Sequence, residues 1–210
     1  ARALARALER TSDGDDHVVL IDANANDVSE AEGEGFRVVF GNATEERTLR
    51  LADVESRRSL VALTPNEGVN LLLANRIFEF CGIGRRSVAL DRRSMGVTHH
   101  QVHETGTRVL FGRPVDFERW RHALAQGNAV LVGARYGGPG RGLLEIPEGV
   151  GSPGAATLPL VHVRGNRADP VDDRTRVRTG ERVIFAWTQR EDAQARSWLA
   201  ANGWEVDARA

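Results

Sequence analysis

Apolar positions in the first half of the chain fall in short continuous runs separated by stretches of helical spacing. His17-Val18-Val19-Leu20-Ile21 closes on Asp22, and Gly35 to Gly41 encloses Phe36-Arg37-Val38-Val39-Phe40. Ser59 to Thr64 holds Leu60-Val61-Ala62-Leu63, and Arg86 to Asp91 holds Val88-Ala89-Leu90. Such runs, apolar without alternation, are how strands buried on both faces of a parallel sheet read. Ala1 to Arg10 carries Leu4 and Leu8 one helical turn apart, and a polar turn follows over Ser12 to Asp16. Val28 to Glu34 is a weaker helix; Glu45 to Ala52 is another, with Thr44 expected as its N-cap. Pro65 introduces a helix from Asn66 to Phe80 that places Val69, Leu72, Leu73, Arg76, Ile77 and Phe80 at or near the core. Strand and helix in strict alternation predict a doubly wound α/β sheet.

The pattern changes after Gly106. Asp116 to Gln126 reads as a short helix, with Trp120 and Leu124 spaced to pack together. Short β runs follow at Ala129 to Arg135, Gly142 to Ile146, Leu158 to Arg164 and Arg182 to Trp187. Asp192 to Ala201 is a closing helix and Trp204 to Val206 a last strand. The expected organisation is a Rossmann-like domain over 1–106, a connecting segment and helix over 107–127, and a smaller α+β domain over 128–210. Glu148 to Gly154 is a loop by composition, expected to be mobile.

Composition narrows the classes. A net charge of -1 supplies no basic field for nucleic acid. Cys81 is the single cysteine, which excludes an internal disulfide and fits a reducing compartment; it reads as a buried small hydrophobe. No apolar run approaches the roughly 20 residues that cross a bilayer, so the chain reads as a soluble domain without direct membrane insertion. Lysine is absent, which removes a Walker lysine, a Schiff-base lysine and the Tyr-x-x-x-Lys pair at once.

In a dinucleotide-binding fold, the acid that bonds the ribose ends the second strand, about 20 residues after the phosphate-binding glycines. Asp22 occupies such a position. Counting back places that first strand and glycine loop ahead of Ala1, so the chain is expected to be a fragment and the opening helix the remains of the first crossover, its N-terminus aimed at phosphates. Taken alone, an acid closing an apolar strand is equally a structural feature. Three further patterns have ordinary readings. Gly138-Pro139-Gly140-Arg141-Gly142 resembles a phosphate loop, but Pro147 and Gly149 come too soon for a helix, and a turn is expected. His99 and His103, like His100 and Glu104, lie four apart and would pair on a helix, which suits metal ligands or proton sensing; a polar segment between domains is the expected reading. Arg85-Arg86 and Arg92-Arg93 flank the fourth strand, where they suit either an anionic ligand or plain solvation.

The series Val18-Val19-Leu20-Ile21-Asp22, Gly41-Asn42-Ala43-Thr44, Leu49 with Ala52-Asp53-Val54, and Ala62-Leu63-Thr64-Pro65-Asn66-Glu67 through Asn70-Leu71 resembles the RCK family, also called KTN or TrkA-type domains, over residues 1 to 92. Leu158 to Arg164 and Thr179 to Phe185 are similar to the family's C-terminal domain. Three departures stand out. The glycine loop is absent, position 42 is asparagine where the family usually has aspartate, and Gly96 to Gly154 matches no RCK pattern.

The resemblance implies a cytoplasmic homodimer, or a ring of dimers, at the inner face of the membrane. It implies a membrane-embedded transporter of K+ or Na+ as partner, in the same or a separate chain, with the middle segment most like the tails of cation:proton antiporters. The implied ligand is NAD(H) or an adenine nucleotide (AMP, ADP or ATP). Asp22, with Ala23 beside it, would take the adenosine ribose; Asn42 and Ala43, followed by Thr44, would line the adenine, Asn42 accepting through its carbonyl oxygen. Thr64, Asn66 and Glu67 would face the ligand from the end of the third strand. No catalytic or metal-binding set is expected. The rival readings are a Rossmann-shaped assembly module without ligand and an NAD-dependent oxidoreductase.

Overall fold

The computed structural model describes residues 1–11, 18–94, 96–139, 141–143 and 156–207. Helix α1 (Arg2–Thr11) leads into β1 (Val19–Asp22), α2 (Ala25–Gly33), β2 (Arg37–Phe40), α3 (Glu46–Leu51), β3 (Ser59–Ala62), α4 (Glu67–Cys81) and β4 (Arg85–Val88). Helix α5 (His99–Glu104) and the two-residue strand β5 (Arg108–Val109) complete this half, and α6 (Phe117–Ala125) leads out of it. The parallel pairing is divided: β1 pairs with β2, and β3, β4 and β5 form a separate sheet in that order. The second half is an antiparallel five-stranded sheet of order β12-β6-β11-β8-β9, built from β6 (Ala129–Tyr136), β8 (Leu158–Arg164), β9 (Arg167–Pro170), β11 (Arg182–Thr188) and β12 (Trp204–Val206). Helix α7 (Asp192–Ala201) packs on it, and β7 (Arg141–Leu143) with β10 (Arg176–Arg178) makes a small ribbon. The fold is thus mixed α/β with parallel sheets, followed by a smaller sheet-rich domain.

Local chemistry sets several of these boundaries. The Asn66 carboxamide accepts from the Val69 N–H at 3.0 Å and starts α4, which Gly82 closes in the left-handed conformation (φ 73°). Thr98 and Gln101 form a capping box that makes the His-rich segment helical. Thr44 is not the cap of α3: Glu45 occupies that position without a side-chain bond, because the Thr44 hydroxyl is engaged by Asn42.

Three other expectations change. On α4, Leu73 and Ile77 are buried, but Val69, Leu72 and Arg76 face solvent, since only one side of the helix meets the sheet. Leu124 is exposed while Trp120 packs partly into the core, because α6 touches its neighbours along a single edge. Cys81 is half-buried rather than buried, with its thiol donating to the Ile77 carbonyl. The parallel sheet also continues past residue 106 through β5. The turn expected over Ser12 to Asp16, His17, the continuation of the Gly142 strand to Ile146, and the Glu148–Gly154 loop lie outside the described residues.

One core cluster crosses between the halves. Leu4 and Ala7 of α1, Leu110, Phe111 and Val115 meet Leu158, Leu160, Val161, Ala168 and Ile184. The rim of this contact is ionic. Arg85 reaches Asp169 at 2.9 Å, and Arg108 reaches Asp172 at 3.0 Å. The Asp173 carboxylate accepts from the Val109 N–H at 3.1 Å, and the Phe111 N–H donates to the Val171 carbonyl at 2.7 Å. Burial alone would raise the Asp169 carboxyl, but the charges of Arg85, Arg164 and Arg167 overcome it and hold the group below its ordinary value.

Candidate functional site

Between β1 and β3 lies a cavity of about 690 Å³. Its walls are the strands themselves, Val18 to Asp22 on one side and Ser59 to Ala62 on the other, with Leu4, Ala5 and Leu8 of α1 as its floor. A Rossmann sheet has strand order 3-2-1-4-5-6. If β1 to β5 are taken as its second to sixth strands, the observed pairings β2-β1 and β3-β4-β5 reproduce that order with one position open, and the cavity is that position. Strand backbone along such a cleft needs partners for its N–H and C=O groups, so the slot has the chemistry of a place for a strand.

Asp22, Ala43 and Thr64, which follow or end β1, β2 and β3, border the same cavity, together with Asp27, Pro65 and Ala1 at the start of α1. This is where an open α/β sheet keeps its ligand crevice. The Asp22 Oδ1 accepts from the Asn24 N–H at 2.9 Å, which fixes the carboxylate at the strand end and leaves the side chain exposed. Ala23 is exposed beside it. Gly41 lets the chain turn from β2 towards Asn42 with φ 154°; a Cβ there would lie 2.6 Å from the Thr48 hydroxyl.

Asn42 behaves differently from the expectation. Its Oδ1 accepts from both the Thr44 N–H at 3.0 Å and the Thr44 hydroxyl at 2.8 Å, so both lone pairs are engaged. The side chain therefore presents its amide as a donor, where the expected acceptor for an adenine amino group would need a free oxygen.

Thr64 and Asn66 stand at the end of β3 and the start of α4, but Glu67 is turned inward. It is buried, accepting from the Asp91 N–H at 2.6 Å and from the Val97 N–H at 3.2 Å. Its carboxylate ties the end of β4 to the next loop and does not face the crevice. Asn70 carries a role that spacing alone did not reveal. Its Oδ1 accepts from the Thr64 N–H at 2.9 Å and hydroxyl at 2.7 Å, while its amide donates to the Thr64 and Ala89 carbonyls at 3.0 and 3.1 Å. The signal was a polar residue at a core position of a helix, and a fully buried carboxamide must find partners.

Asp22 thus borders the cavity with an exposed side chain, whereas Asn42 is not among the residues that line it. Phosphate donors from a glycine turn are not among the described residues around the cavity. The arginine of the Gly138–Gly142 stretch opens β7, which pairs antiparallel with β10, and Gly140 lies outside the described residues. Of the histidines, His100 meets Glu104 at 3.3 Å and His103 meets Asp173, and among the described residues no group of three His, Cys, Asp or Glu side chains could hold a metal. No helix among them is long and apolar enough to cross a membrane.

Residues 1–93 match the TrkA-N domain. The matched TrkA-N segment contains β1 to β4 and every residue of the crevice named above. Solved structures similar to the chain include the NAD(P)-binding domain of an exopolyphosphatase-related protein from Archaeoglobus fulgidus, at 17% identity and TM-score 0.41, covering 60% of this chain and 86% of that one. The GsuK channel bound to NAD is similar at 17% identity and TM-score 0.43, covering 93% of this chain and 36% of that one. The GsuK RCK domain is similar at 15% identity and TM-score 0.33, covering 90% and 47%. The chain therefore spans less than half the length of the GsuK chains. No curated protein matches it.

Proposed function

We propose that this chain is a nucleotide-responsive regulatory domain of a monovalent cation transport protein, acting without catalysis of its own. The observation that carries the reading is the convergence of Asp22, Ala43 and Thr64 on one cavity within the TrkA-N segment. The ligand is NAD(H) or an adenine nucleotide: Asp22 takes the ribose, the Asn42 amide donates to a ring nitrogen of the base, and Thr64, held by Asn70, lines the far wall. Ala23, Thr44 and Asn66 frame the site, and Glu67 positions the loop beneath it. The phosphates are held when a parallel strand and glycine turn preceding α1 enter the slot, since strand, α1 and β1 then form a right-handed crossover.

Ala168 and Pro170 of β9 also border the cavity, so occupancy is felt by the second domain, which we take to be of RCK-C type. Regulation follows only if the two arrangements of the halves bind nucleotide with different affinity. The partner is a membrane-embedded transporter of K+ or Na+, of the cation:proton antiporter kind, in the same or a separate chain, and the domain works as a homodimer on the cytoplasmic face. The second reading, an assembly module, is favoured by the apolar strand walls of the cavity, which welcome a strand as readily as they frame a ligand.

Calorimetric titration of NADH, NAD, AMP, ADP and ATP separates these readings. The proteins to compare are this chain and the same chain preceded by an apolar strand and glycine turn. Binding by the longer chain that Asp22→Ala abolishes is the expected result and names the ligand. Absence of binding by both leaves the assembly module.

A further inference from the structure

Arg86, the second residue of β4, carries its guanidinium into the seam between α4 and α5 and is only 3% exposed. Its Nη2 donates at 2.9 Å to the carbonyl of Thr105, at the C-terminal end of α5. The Phe78 ring of α4 lies over it, with the ring centre 4.1 Å from Cζ. Its Nε and Nη1 are buried without a hydrogen-bond partner, and among the described residues no carboxylate pairs with it. Burial lowers its pKa, and no neighbouring negative charge opposes that shift. Arg85, the residue before it, is the contrast: it meets Asp169 at 2.9 Å and Asp172 at 3.4 Å. A buried charge without a counter-ion is costly, and neither a carbonyl nor a ring face carries the full negative charge that balances a guanidinium.

We infer that Arg86 anchors a docking surface for an acidic peptide segment of a partner protein, whose Asp or Glu carboxylate completes the guanidinium while its apolar neighbours rest on Phe78 and Leu72. Charge sets the class of the partner, because a guanidinium makes its strongest hydrogen bonds to a carboxylate or phosphate. The cover over the guanidinium is slight. Phe78 is 49% exposed, so turning its ring aside gives up a cation–π contact and little packing. On the α5 side stands Gly106, exposed and without a side chain; a Cβ there would lie 3.4 Å from Nη2.

The apolar rim favours a peptide over a free anion. Leu72 is 58% exposed on the same helix, six residues before Phe78. That separation is a rise of about 9 Å along a helix, which about three residues of extended chain span. An inorganic anion gains nothing from either side chain, whereas a peptide with apolar residues flanking its acid buries both. An arginine beside an aromatic ring is also the pairing that dominates binding energy at protein interfaces.

The test follows the Arg86 Nε–H resonance of the full chain by NMR, assigned by its loss in Arg86→Met, with calorimetry in parallel. The probes are the blocked peptide acetyl-Leu-Glu-Leu-amide, its Gln counterpart and sodium acetate, at matched ionic strength. Expected is a saturable shift with the Glu peptide and a response at least tenfold weaker with the Gln peptide and with acetate. Arg86→Met should weaken the Glu peptide at least tenfold, and Phe78→Ala, on an exposed side chain, at least threefold. Equal binding of the Glu and Gln peptides, or unchanged binding by both variants, overturns the inference. So does acetate acting as strongly as the Glu peptide, which would make the place a free-anion site. A dimer that forms with rising protein concentration, is lost in Arg86→Met and is not displaced by the Glu peptide would also overturn it, giving the surface to a second copy of the chain. None of these outcomes depends on whether a nucleotide binds.

Discussion

The two sheets of this protein are built to different standards of completeness. In the antiparallel sheet, β8 and β11 run seven residues each, with five consecutive buried positions apiece. In the divided parallel pairing, β1, β2 and β3 are four residues long, and among their twelve residues only Ala62 is buried. The apolar side chains of Val19, Leu20, Ile21, Leu60 and Val61 are therefore half-exposed along the slot although their sequence is that of a buried sheet. Where the sheet is continuous, the apolar pattern and the burial agree. They disagree in the parallel half, along the cavity between β1 and β3.

Substitutions can break or sharpen that contrast. Trp187→Ala empties a fully buried site in the antiparallel core and should cost about 3–5 kcal/mol in urea unfolding, against about 1 kcal/mol for Leu60→Ala beside the slot. Similar losses at the two positions would mean that the slot is already as well packed as the core. Native-state hydrogen exchange gives the same comparison without mutation: amides of β1 and β3 should exchange well before those of β8 and β11.

Asp169→Asn comes next, at about 3 kcal/mol, because it leaves Arg85 partly buried opposite a neutral group. Its pH dependence has a definite sign. The folded carboxyl titrates below its ordinary value of 3.8, so its stabilisation is present above that pH and disappears as pH falls through the depressed folded value. The parent should therefore lose stability on acidification below about pH 4 more steeply than the Asn variant. Parallel curves would show that the ionic rim contributes little to the contact between halves.

The smallest effect is expected at Arg86. Its Nε and Nη1 are buried without partners, and burial lowers its pKa. Its guanidinium lies 4.1 Å from the centre of the Phe78 ring and donates to the Thr105 carbonyl at 2.9 Å, which offsets part of the cost. Arg86→Met should leave the unfolding free energy within about 1 kcal/mol of the parent or raise it. A large loss would reveal an ionic partner for this side chain.

Much was legible along the chain. Continuous apolar runs mark β1 to β3, and the run Val88-Ala89-Leu90 overlaps only the last residue of β4, while Asn66 and Asp116 declare their helices because a cap satisfies backbone donors locally. Asp22, closing its run, is legible for the same reason. Strands β5, β9 and β10 were not, since β5 has two residues, β9 carries the charged pair Arg167 and Asp169, and β10 is a three-residue strand with arginine at both ends.

The sequence by itself determined which residues could form strands and helices, that lysine chemistry is absent, and that an acid stands at the end of β1. These depend on neighbours a few positions away. Only the tertiary structure decided that Glu67 turns inward, that Asn42 spends its oxygen on Thr44, that Asn70 holds Thr64, and that the parallel pairing opens between β1 and β3. It alone placed the Arg86 guanidinium between Phe78 and Thr105. Each of these depends on which distant groups a side chain meets once the chain is folded, and no periodicity along the sequence records that.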